Sequence, residues 1–170
     1  MGRIRQLQTR IKIWTWIFVA ALVGSGLTAI PLELELNVLT RFFGGAGSPT
    51  GLGHWILTVR DGLHETNARF PFLAYGTDWL AFGHVVIAVA FLGALCDPVR
   101  NIWLFQFGMI ACALVVPWAF VFGELRGIPV GWRLIDCSYG VLGFIPLWLC
   151  WRDALELSAL QETISPAASS

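Results

Sequence analysis

What most limits how this chain can fold is the absence of charge from long stretches of it. Segments 13–32, 79–96 and 101–123 contain no Asp, Glu, Lys or Arg, and 134–151 contains only Asp136. About 20 apolar residues at 1.5 Å rise cross a hydrocarbon core of about 30 Å, so each segment is long enough to span a bilayer. The expectation is an all-α integral membrane protein. It would be a four-helix transmembrane bundle, up-down-up-down, with spans at 13–32, 79–96, 99–124 and 134–151, a four-span domain over 1–152 and a partly disordered cytoplasmic tail over 153–170. The 13% share of charged residues fits that solvent, being about half the soluble average.

Placement of the few charges sets the orientation. Arg3, Arg5, Arg10 and Lys12 precede the first span, Arg100 lies in the turn after the second, and Arg152 follows the fourth. Arg41, Arg60, Arg69, Arg126 and Arg133 fall on the other side, so the bias is moderate. Positively charged flanks stay inside, and the expectation is that both termini are cytoplasmic, with a plasma (inner) membrane as the expected location. The first apolar run exceeds the usual length of a signal-peptide core, so it is expected to be retained as a span. Eleven basic residues balance eleven acidic ones, which removes the basic footprint of a nucleic-acid binder. The cysteines Cys96, Cys112, Cys137 and Cys150 form no CxxC pair. That weighs against a membrane thiol oxidoreductase of the vitamin K epoxide reductase or quinone-linked disulfide type.

Between the first two spans, Pro31 ends or kinks the first helix, and residues 44–51 read as a flexible connector. Ser48 as N-cap and Pro49 in the first turn then open an amphipathic helix over 49–66. On it Leu52, Trp55, Ile56, Val59 and Leu63 recur at helical spacing, so it is expected to lie along the extracytoplasmic interface or to cap the bundle, its apolar face on lipid or on the spans. NARFPFLAYG supplies an aromatic re-entry at Phe70, Phe72 and Tyr75. In the DPVRN turn, Asp97 would cap the third helix. Gly127 would cap its end, and Gly24, Ser25, Gly26, Gly140 and Gly143 would permit close helix approach.

Ionisable groups at membrane depth are costly and mark functional positions by default. At 1.5 Å per residue His84 lies about 7–8 Å below the outer end of its span. Alternating spans put Asp78, His84, Glu124, Arg126, Arg133 and Asp136 on one level of the outer leaflet, with no comparable cluster at the inner side, where Gln106 stands nearly alone. His84, Asp78, Glu124 and Asp136 are the candidate catalytic residues, histidine as acid or base with a carboxylate orienting it. Arg126 and Arg133, with Trp79 and Trp132, are the candidate ligand contacts.

Each has a plainer alternative. Asp78 suits a helix N-terminus, Arg133 has Asp136 or Glu124 to neutralise it, and His84 can bond a neighbouring helix, since Leu80, Ala81, Ile87 and Ala88 on its own face offer no partner. His54, His64, Glu65 and His84 supply metal or haem ligand types, although without a recognised zinc spacing. No nucleotide-binding or nucleophile motif is present. The leading expectation is an outer-leaflet polar pocket for a lipid-like or amphiphilic small molecule. The alternatives are an accessory subunit that meets a membrane-protein partner or another copy of itself, and a metal- or haem-binding protein.

Overall fold

The computed structural model describes residues 2–43 and 51–164. The described residues form six α-helices and one 3-10 turn, with no strand among them. The helices are α1 (Gly2–Thr28), α2 (Leu32–Phe43), α3 (Leu52–Arg69), α4 (Tyr75–Cys96), α5 (Ile102–Leu125) and α6 (Val130–Ile164), and the turn is Pro71–Ala74. Four stretches, Gly2–Thr28, Pro71–Cys96, Ile102–Leu125 and Val130–Ile164, are long and apolar enough to cross a membrane. Only 17–28% of the most apolar window in each is buried. Helices so apolar over their outward surface need lipid around them.

Helix boundaries follow local chemistry. α1 closes with 3-10-type bonds from Ala29 N to Gly26 O and from Ile30 N to Leu27 O. Pro31, which has no N–H to continue the ladder, then starts a new helix whose first bond runs from Glu35 N to Pro31 O. This second helix is absent from the sequence expectation. Glu33 and Glu35 in its first turn and Arg41 in its last match the helix dipole. Helix α3 extends to Arg69, beyond the expected 66. The connector at 44–50, with Ser48 and Pro49, lies outside the described residues.

Asp97 plays a different part from the expected one: its Oδ1 accepts from Arg100 N at 3.0 Å within the turn, so α5 starts only at Ile102. At the other end of α5, Gly127 at φ 66° closes the helix, with Ile128 N donating to Gly123 O and Gly127 N to Glu124 O. That paired pattern is a Schellman motif, and it needs a residue that tolerates the left-handed region.

The chain divides into two compact units, Met1–Ala21 with Ile87–Ser170, and Leu22–Val86. In the larger unit the core runs through Leu7, Ile11, Phe18, Phe91, Phe105, Leu147, Ala154 and Leu157. Phe18 and Phe91 have ring centroids 4.8 Å apart. Glycines set the closest approaches there: a Cβ on Gly108 would stand 2.7 Å from Leu147 Cδ1, and one on Gly140 would stand 2.6 Å from the carbonyl oxygen of Cys112. In the smaller unit α2 and α3 pack on each other, burying Leu36 and Ile56. The apolar side of α3 therefore meets α2, where the sequence had offered it lipid or spans.

Candidate functional site

In the smaller unit the site begins with Glu33, which the restart at Pro31 places in the first turn of α2. His64 and Asn67 stand three apart on α3 and so share a face. His64 Nδ1 lies 2.6 Å from Glu33 Oε1, and Asn67 Nδ2 donates to Glu33 Oε2 at 3.0 Å. These bonds hold the Glu33 carboxyl below the usual glutamate range, the His64 bond contributing most.

The Asn67 amide is oriented by this contact, since turning it over would set its oxygen against a carboxylate. Its Oδ1 is then buried with no hydrogen-bond partner. Glu33 and Asn67 line a groove of about 350 Å³, whose remaining wall includes Ile30, Pro31, Leu34, Leu63, Leu73 and Thr77. An apolar trough with a few convergent polar atoms is the usual build of a small-molecule site, and this volume is at the small end of the ordinary range.

His84 and Asp78 belong to the same unit. His84 is half-buried, and its Nδ1–H donates to the Leu80 carbonyl oxygen at 2.8 Å. Its partner is thus a backbone oxygen one turn back, a group that side-chain spacing does not reveal. The bond leaves Nε2 as the bare nitrogen of the neutral ring. A Cβ on Gly26 would come 2.5 Å from His84 Cβ, so glycine is required where α1 passes the histidine. Asp78 is exposed in the first turn of α4, where the helix dipole favours it. Exposed Trp79 packs edge-on to Tyr75 and Phe82 at 5.9 and 5.4 Å.

Glu124, Arg126, Arg133, Trp132 and Asp136 belong to the larger unit. Buried Arg133 donates from Nη1 to Glu124 Oε2 and from Nε to the Ile128 carbonyl oxygen, both at 2.7 Å. Its guanidinium therefore ties the α5–α6 turn together, and Asp136 takes no ion pair among the described residues. Arg126 is exposed, while Trp132 and Asp136 are half-buried.

Of the metal-ligand types, His64 is taken by Glu33, Glu65 pairs with Arg69 at 3.0 Å, and His54 is exposed. Among the described residues no group of three or more His, Cys, Asp or Glu side chains is arranged to hold an ion.

The larger unit also holds polar groups that the sequence reading passed over. Asp153, 1% exposed, faces Arg10 Nε at 3.1 Å and Arg152 Nη2 at 3.1 Å. One helical turn further along α6, Arg3 grips Glu156 with Nε and Nη2 at 2.7 and 2.9 Å. These pairs lie just beyond the expected span limits, where the sequence reading had looked for no polar cluster. The segment after Arg152, read from sequence as a tail, continues α6 as helix to Ile164 and carries both carboxylates back to α1.

The signal that could have found Glu33 was weaker. Glutamates at 33 and 35 amid leucines alternate with period two, which resembles a strand more than a helix face. Compared with protein-family models, characterised proteins and solved structures, the chain matches none.

Proposed function

We propose an integral membrane protein of four spans, up-down-up-down, with both termini cytoplasmic and α2–α3 on the outer side, in a plasma (inner) membrane. It binds a lipid-like or otherwise amphiphilic small molecule in an outer-leaflet pocket. The supporting observation is the groove beside Glu33 and Asn67, whose lining is mostly apolar with these two and Thr66 and Thr77 as its polar members.

Charge and hydrogen-bond inventory narrow the ligand class. The Glu33 carboxylate lines the groove and keeps lone pairs beyond the two bonds it accepts. The matching head group is a donor, a hydroxyl or an ammonium. Arg133, which the sequence had offered for the ligand's polar head, is already engaged by Glu124 and Ile128. Should chemistry follow binding, His84 would act through Nε2, the nitrogen not given to Leu80.

Leu63 forms part of the groove wall from α3, so Leu63→Phe fills part of it while adding only apolar bulk. Mass spectrometry of gently purified protein is expected to find an amphiphile with a hydroxyl or amine head on the wild type, and to find it lost from the variant. Wild type free of any amphiphile, or a folded variant that retains it in full, would sink the reading.

Topology has its own test. Reporters joined at the two chain ends are expected to signal from the cytoplasm, and one inserted at Gly47 from outside. An external signal from either end overturns the orientation.

A further inference from the structure

Helix α2 turns two faces in different directions. At 3.6 residues per turn Leu34, Val38 and Phe42 fall on one stripe, and they are 65%, 43% and 78% exposed. Asn37 and Arg41 border that stripe. On the opposite side Leu36 is buried and Leu32 and Leu39 are half-buried, against α3, the helix α2 packs on.

The Glu33 bonds to His64 and Asn67 fix the rotation of α2 about its axis, so the apolar stripe cannot simply turn inward. Exposed positions on α3 are instead mostly polar, His54, Thr58, Asp61 and Glu65 among them, with Leu52 at its start the large apolar exception. The helix pair thus has an apolar outer side on α2 and a polar one on α3.

Chain length limits where that apolar side can go. Helix α1 ends at Thr28 and α2 begins at Leu32, and a connection this short reaches only about 3.3–3.6 Å per residue. A helix so tethered to the end of a span begins within the headgroup layer. The way back is marked by exposed Phe70, Phe72 and Tyr75 at the entry to α4, residues of the kind that settle at the membrane interface.

We infer that α2 lies in the plane of the outer membrane interface, with Leu34, Val38 and Phe42 seated on the lipid acyl chains and α3 holding its polar face to water. The inference rests on the span assignment of α1 proposed above. It moves the interfacial role from α3, where sequence periodicity alone put it, to a helix that periodicity did not reveal. A narrow apolar stripe bordered by a long cationic side chain is the pattern of an in-plane membrane helix.

The test places nitroxide labels singly at positions 34, 38 and 42, at 58 and 65 on α3, and at Ile17 within α1. The background is full-length Cys96→Ser protein, because Cys96 is the one exposed thiol among the described residues. Vesicles of phosphatidylcholine with phosphatidylglycerol serve as the membrane. Power saturation is expected to show labels at 34, 38 and 42 several-fold more accessible to oxygen than to a water-soluble nickel chelate, and the reverse at 58 and 65. Nickel-dominated accessibility at 34, 38 and 42 with Ile17 in lipid overturns the inference and leaves the spans intact. Nickel-dominated accessibility at Ile17 overturns the span assignment, and this inference with it. Spin–spin broadening at 34, 38 and 42 that disappears on dilution with unlabelled protein assigns the stripe to a second copy and overturns the lipid contact.

Discussion

Arg10→Met is expected to lower the unfolding free energy by about 3 kcal/mol, the low end of what breaking a buried pair costs. Asp153 is 1% exposed, and Arg10 is its nearest cation on Oδ2, at 3.1 Å. The contact is off-axis, so that oxygen has the ion pair and no hydrogen bond. Arg152 serves only Oδ1, at 3.1 and 3.3 Å, and is itself about half exposed. Without Arg10 the carboxylate is left half-compensated in a dry site. The low end applies because Arg152 remains and Arg10 is a third exposed.

The double variant Arg10→Met, Asp153→Leu is expected to recover most of the loss, since a packed apolar pair can replace an ion pair at little net cost. Arg152 then still has the Trp148 ring, with its guanidinium carbon 5.4 Å from the ring centroid. Denaturing-detergent titration of the four proteins closes a double-mutant cycle. A single variant within about 1 kcal/mol of wild type would show the pair to be of the ordinary surface kind.

These ion pairs also explain where the sequence reading fell short. The four apolar helices were legible because charge is excluded from them, a signal that depends on solvent and on no detail of packing. Their ends were not. Counting residues against bilayer thickness stops at the first charge, whereas a helix continues wherever its charges find partners. Arg3 with Glu156 and Arg10 with Asp153 carry α1 back to Gly2 and α6 on to Ile164.

Helix α2 was hidden for another reason: LELEL repeats every second residue, and its helical order emerges only when Leu32, Leu36 and Leu39 are found together on α3. The candidate residues divided in the same way. Pairing of Arg133 with Glu124 was open to inspection because both ends are charged side chains, but the acceptor for His84 is a backbone oxygen. The Glu33 site depends on two helices meeting, one of which the sequence did not declare.

Gly140→Leu is expected to destabilise by about 3 kcal/mol, the upper end of the overpacking range. A Cβ at that position would stand 2.6 Å from the Cys112 carbonyl oxygen and 3.3 Å from Val115 Cβ. The first obstacle is backbone, held by the α5 ladder, so it cannot rotate aside as a side-chain tip would, and the two helices must separate. In lipid, helices gain nothing from excluding water along their apolar faces, and close van der Waals contact carries the association. Separation at this one point therefore loosens the neighbouring contact at Gly143, whose added Cβ would stand 3.0 Å from the Cys112 sulfur and 3.6 Å from Phe18 Cε2.

Gly83→Ala provides the contrast. No atom lies within 4 Å of a Cβ placed there, and alanine in a helix is favoured over glycine by about 1 kcal/mol, so this change is expected to be neutral or mildly stabilising. The same detergent titration reads both variants. If Gly140→Leu proves as harmless as Gly83→Ala, α5 and α6 do not meet at Cys112 in the membrane.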